Sequence, residues 1–162
     1  MDYQNLVRDF AQRTRVNLET LRRVQQTQPD QEVYEVTQLI NSMLGLLVLP
    51  QQWFMRRIPE IPLEQLVADG WPRPVMEGEF PPAANLQELV RYLRNAIAHF
   101  NLAFVADDQG QICGLRLWNR RGGVTTWEAR LALADLETIT EKFIDLLLEV
   151  ENRDGQPPLL QP

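Results

Sequence analysis

The chain carries a single histidine, His99. Five positions before it stands Arg94, and Asn95 follows that arginine directly. Imidazole is the side chain whose ordinary pKa lets it take and give a proton near pH 7. A guanidinium is always charged and offers a fixed fork of donors to a phosphate, a carboxylate or a developing oxyanion. On an α-helix, at about 100° per residue, Arg91, Arg94, Asn95, Ala98 and His99 share one side. Arg94 and His99 are then about 140° apart, so they bracket the face, and Ala98 leaves a shallow gap between them. The same pattern also describes a plain solvated helix face, with a histidine near the C-terminus where its cation suits the dipole. By chance alone, an arginine at a usable spacing before the lone histidine is expected about a quarter of the time.

The helix that holds this face is the clearest in the chain. Over residues 85–100, Leu86, Leu89, Val90, Leu93, Ile97 and Phe100 repeat at i, i+3 and i+4. A long amphipathic helix is expected over 2–28, with Leu6, Val7, Phe10, Leu18, Leu21 and Val24 apolar and Gln28-Pro29-Asp30 as its end. A second is expected over 33–49, stopped by Pro50; its later half is apolar on every face and so belongs among several neighbours. Segment 58–84 holds Pro59, Pro62, Pro72, Pro74, Pro81 and Pro82. It reads as a Pro-rich insertion with room for a short helix at 63–69, either stapled down by Trp71 and Phe80 or covering a site.

After the motif, an apolar run at 102–106, the acidic turn Asp107-Asp108-Gln109-Gly110 and an alternating run at 111–118 predict a β-hairpin. Arg120-Arg121-Gly122-Gly123 reads as another turn, and 124–131 as a third strand with Trp127, Ala129 and Leu131 on one face. Asp135 is the expected N-cap of a last helix with Leu136, Ile139, Phe143, Leu146, Leu147 and Val150 inward. Gly155 and Pro157-Pro158 end that helix, and 155–162 is expected to be a disordered tail. The fold class predicted is mainly α: a helical bundle with a small β-hairpin or meander (102–131) inserted before the last helix. A single domain over 1–154 is expected.

Composition narrows the partners. At 162 residues, 44% hydrophobic and 23% charged, the chain can bury a core and is not a disordered or low-complexity sequence. The richest apolar stretch, 43–49, is far short of the roughly 18 residues of a membrane span. Residues 1–5 have neither a basic head nor an apolar h-region, and the cytosol is the expected compartment. One cysteine, Cys113, excludes an intrachain disulfide and a cysteine-rich zinc site. No metal-ligand spacing and no Gly-rich phosphate loop occur, so neither metal nor cofactor is expected. The net charge of −6 argues against a non-specific grip on nucleic acid or anionic lipid. Yet Lys142 is the only lysine among 16 basic residues. That reflects either base composition or a demand for the arginine fork.

Arg94-Asn95-Ala96-Ile97-Ala98-His99 resembles the Arg-polar-x-x-x-His motif of the HEPN superfamily. Residues 37–48 resemble the second helix of a bacterial, plasmid-associated HEPN branch. So do the hairpin ending in Leu117-Trp118-Asn119 and the approach Trp127…Leu133…Asp135-Leu136. Segment 58–84 is not placed by the resemblance. What it implies is an antiparallel, up-down four-helix bundle with the motif at the end of the third core helix. It further implies a metal-independent endoribonuclease, a toxin or defence effector, acting as a homodimer whose motif helices face one another. Residue by residue, Arg94, Asn95 and His99 take the motif positions.

The chemistry of such a site follows from those side chains. Metal-free RNA cleavage uses the 2′-hydroxyl as nucleophile and leaves a 2′,3′-cyclic phosphate and a 5′-hydroxyl. It needs a base, an acid and positive charge on the phosphorane. One histidine per chain gains a second across a two-fold axis, and DNA lacks the nucleophile. Arg91, Arg94, Arg116, Arg120 and Arg121 are expected to line one RNA groove, with Trp118 as a base-stacking platform. For Trp118 the alternative is packing within the meander, and for Arg120-Arg121 a solvated turn. Two other functions remain open: a non-catalytic HEPN module that binds nucleotide or RNA or pairs with an antitoxin or nucleotidyltransferase, and a plain helical interaction protein.

Overall fold

The computed structural model describes residues 6–28, 30–48 and 57–154. The expected helix start at 2–5, Pro29, the expected stop at Leu49-Pro50 and the expected tail lie outside the described residues. In chain order the elements are α1 (Leu6–Thr27), α2 (Glu35–Val48), α3 (Leu63–Ala68), β1 (Val75–Met76), α4 (Leu86–Ala98), β2 (Leu102–Ala106), β3 (Ile112–Arg121), β4 (Val124–Ala132) and α5 (Leu133–Asp154).

The strands form one antiparallel sheet in the order β1-β4-β3-β2. Strand alternation gives the sheet two unlike faces. Leu115, Leu117, Trp127, Ala129 and Leu131 point inward and are at most 1% exposed. Helices α4 and α5 cover that face, α2 packs against both of them, and α1 lies against α2 and α5. Leu89, Leu93, Ile97, Leu136, Phe143, Leu147, Met43 and Leu46 complete the core between the layers. Helices α1 and α2 approach closely at Gly45, where a Cβ would collide with the ring of Phe10. Arg15 and Arg22 of α1 pair with Glu141 of α5, and Arg15 also reaches Asp145.

This corrects the expected mainly α four-helix bundle with a small inserted hairpin. Four helices of 13 or more residues are present among the described residues. The sheet, however, is a full layer of four strands whose inner face supplies the middle of the core. The fourth strand comes from the Pro-rich segment: Val75 and Met76 pair with Arg130 and Ala129 at the sheet's edge, where neighbouring prolines are tolerated. Two further boundaries differ from the sequence reading. Arg120 and Arg121 belong to β3, and the turn is Gly122-Gly123 alone, both at positive φ as a two-residue hairpin requires. Helix α5 starts at Leu133, so Asp135 is its third residue; its carboxylate reaches back to accept from the Ala132 N–H at 3.4 Å.

Candidate functional site

The motif helix is fixed at its start by side chains and at its end by main chain. Asn85 caps α4, accepting the N–H of Glu88 at 2.9 Å. Glu88 in return accepts the Ala84 N–H at 2.8 Å, the Arg91 guanidinium at 2.7 Å and the Tyr92 hydroxyl at 2.9 Å. The Ala84 N–H is the chief reason the Glu88 carboxyl is held below its ordinary value, against a smaller opposing push from burial. Burial in turn raises Tyr92, with Glu88 adding to it. Leu86, Leu89, Val90, Leu93, Ala96 and Ile97 are buried, which turns Arg91, Arg94, Asn95, Ala98 and His99 away from the core.

On that outward side the residues differ. Arg91 is engaged: it pairs with Glu88 and lies 5.4 Å from the centre of the Tyr92 ring. Arg94 is half-buried and donates only to the side chain of Asn95, at 3.4 Å; among the described residues no carboxylate pairs with it. His99 is exposed, and its backbone N–H bonds to the carbonyl of Asn95 one turn earlier. A guanidinium, an amide and an imidazole therefore sit on one open helix face, with the guanidinium still available to an anion.

Sequence reasoning missed the residue that ends this helix. The i, i+3 spacing places Phe100 in the apolar stripe, yet it is 77% exposed. His99 is the C-cap, and Phe100 follows at φ +56°, the only described non-glycine residue at positive φ. The Phe100 N–H bonds to Ile97 and the Asn101 N–H to Ala96, which is a Schellman ending with phenylalanine where glycine is usual. The left-handed conformation costs such a residue about 1–2 kcal/mol. The available signal was the absence of any glycine between the helix and β2. By contrast, Gly70 takes the corresponding position after α3, at φ +80°.

The remaining expected RNA-contacting residues lie on β3 and not on the motif helix. Arg116, Trp118 and Arg120 alternate with inward-facing Leu115, Leu117 and Asn119, so they occupy the sheet face opposite the helices. There the guanidinium carbons of Arg116 and Arg120 lie 5.3 and 5.9 Å from the centre of the Trp118 ring. Trp118 is thus partnered by two arginines instead of standing free as a stacking platform. Arg116 also pairs with Glu128 at 3.3 Å. Arg121 is exposed at the end of β3, beside the Gly122-Gly123 turn. The two groups meet at one point: the Trp118 backbone N–H donates to the Asn101 carbonyl, two residues after His99. Inward on the same strand, the Asn119 amide donates to the Tyr92 carbonyl and ties β3 to α4.

Asp107 does turn work, its carboxylate accepting the N–H groups of Gln109 and Gln111. Among the described residues no group of three or more His, Cys, Asp or Glu is placed to hold a metal ion. Nor, among them, is any helix long and apolar enough to cross a membrane.

Arg94, Asn95 and His99 thus stand together on the outward side at the end of one helix. The family model described as HEPN pEK499 p136 matches residues 1–154, and the chain belongs to this plasmid-associated HEPN family. Membership connects it with nuclease and RNA-related function in general, and HEPN domains commonly act as dimers and bind RNA. No curated protein and no solved structure matches the chain.

Proposed function

We propose that the protein is a metal-independent endoribonuclease that acts as a homodimer and serves as a toxin or defence effector. The observation that carries this reading is the half-buried Arg94, without a carboxylate partner among the described residues, on the same open face as Asn95 and the sole histidine. In the reaction, a base removes the proton of the 2′-hydroxyl, whose oxygen attacks the adjacent phosphorus. The bond to the 5′-oxygen breaks, and an acid protonates that leaving oxygen. His99 of each protomer supplies one of these transfers, Arg94 neutralises the phosphorane and Asn95 orients the phosphate or the imidazole. The products are a 2′,3′-cyclic phosphate and a 5′-hydroxyl. Arg120 and Arg121 hold the RNA backbone beyond the cut, with Arg116 and Trp118 as their support on the outer face of the sheet.

The test is cleavage of RNA in EDTA. The wild-type protein cleaves and His99→Ala does not, while both melt at the same temperature and run as dimers on light scattering. Cleavage by the variant would reject the assignment. Binding without cleavage by the wild-type protein would instead leave a non-catalytic RNA-binding module.

A further inference from the structure

Phe100 is the one described non-glycine residue at positive φ, and it directly follows the motif histidine. Three main-chain hydrogen bonds hold its surroundings: Phe100 to Ile97, Asn101 to Ala96 and Trp118 to Asn101. Its ring contributes little to the core, being 77% exposed. Glycine would satisfy the same bonds without strain. A strained residue locked in place by its neighbours, at a candidate site, points to a use for its side chain.

We infer that Phe100 is a substrate-binding residue on which a base of the RNA stacks beside the phosphate held by Arg94; this rests on the ribonuclease reading of the Arg94, Asn95 and His99 face. Charge favours a nucleotide over a second protein surface. Ala98 and His99 before the ring are exposed and Asn101 after it is half-buried. Arg94 lies six residues earlier, about 9 Å along the helix axis, and has no carboxylate partner among the described residues. No carboxylate occurs in the sequence from Leu89 to Ala106. A flat apolar face beside an available guanidinium matches a base joined to its phosphate, and an aromatic ring accepts any base on its π-face.

The test uses the full chain, in EDTA, with single-stranded RNA carrying 2-aminopurine. Wild-type protein quenches the fluorescence on binding. Phe100→Gly removes the ring and relieves the backbone, so its folding is not in question; its KM rises by about five- to a hundredfold with little change in kcat, and the quench is lost. Phe100→Trp keeps a flat face and retains both KM and quench. If Phe100→Gly cleaves RNA with the KM and quench of the wild type, Phe100 is not the platform and the ribonuclease reading stands. If that variant loses activity by dissociating to monomers on light scattering, the ring is a subunit contact and the inference is overturned. If the wild-type protein neither binds nor cleaves RNA, the ribonuclease reading fails and the inference goes with it.

Discussion

Replacing Phe100 by glycine and, separately, by alanine isolates the strain stored at the end of the motif helix. Both substitutions remove the same ring, and that ring is mostly exposed, so little burial is lost in either case. They differ only in the backbone. Alanine keeps the Cβ that disfavours φ +56°. Glycine relieves about 1–2 kcal/mol of left-handed strain and gives back about 0.5–1 kcal/mol through its greater freedom in the unfolded chain. The glycine variant is therefore expected to be more stable than the alanine variant by roughly 0.5–1 kcal/mol. For a domain of this size that is a difference of about 1–4 °C in Tm. Thermal unfolding followed by circular dichroism at neutral pH reads it directly. A glycine variant that melts at or below the alanine variant would show that the Schellman ending carries no strain. The argument that Phe100 is retained for its side chain would then lose its footing.

Three other outcomes are expected. Arg94→Ala lowers metal-free cleavage by about 10²-fold or more with an unchanged melt, and Arg94→Lys recovers little because an ammonium lacks the planar fork; a near-wild-type rate removes Arg94 from the site. Glu88, held below its ordinary 4.5 chiefly by the Ala84 N–H, stabilises the fold above that pH, and its contribution is lost as pH falls through the depressed folded-state value. Glu88→Gln should accordingly flatten the acid limb of a plot of Tm against pH, and an unchanged limb shows that Glu88 contributes nothing there. Gly45→Ala forces the Phe10 ring out of its place between α1 and α2 and costs about 1–3 kcal/mol; an unchanged denaturation midpoint would mean that the ring swings aside freely.

The legible parts of the fold are those where one-sided burial writes a period into the sequence. Leu86, Leu89, Val90, Leu93 and Ile97 repeat because α4 buries one stripe, and Trp127, Ala129 and Leu131 alternate because β4 buries one face. Where no period is long enough, the sequence is silent. The two residues of β1 cannot show alternation, and their prolines argue against a strand that is permitted only because it lies at an edge. Arg120 and Arg121 read as a turn because both are charged, yet a strand with one solvated face accepts charge, and two positive-φ glycines suffice to reverse it. Phe100 fits the i+3 rule by type, but the chain must leave the helix there to enter β2, and a change of backbone direction overrides periodicity. The motif itself was readable because Arg94, Asn95 and His99 lie on one element. How the arginines of β3 stand relative to it is not written in the spacing, because that depends on which way each strand residue points.

The acidic balance of the chain counts against RNA as a partner only if its charges are evenly spread, and they are not. Between Leu89 and Trp127 the only carboxylates are Asp107 and Asp108, and the first of these is used to close the hairpin turn. The same stretch carries Arg91, Arg94, Arg116, Arg120 and Arg121. The acids lie mainly elsewhere, several of them on α5, where they pair with α1. Within the basic stretch the arginines divide again by partner. Arg91 and Arg116 are paired with Glu88 and Glu128, whereas Arg94 faces none among the described residues. At physiological salt, charges beyond about 8 Å are largely screened, so what a phosphate meets at the motif is the local set and not the total of −6. A net negative protein with an available arginine at its motif would not draw RNA in from a distance, and would hold it only where a phosphate reaches Arg94. That is what the proposed ribonuclease needs if it is to cut RNA without adhering along the whole strand.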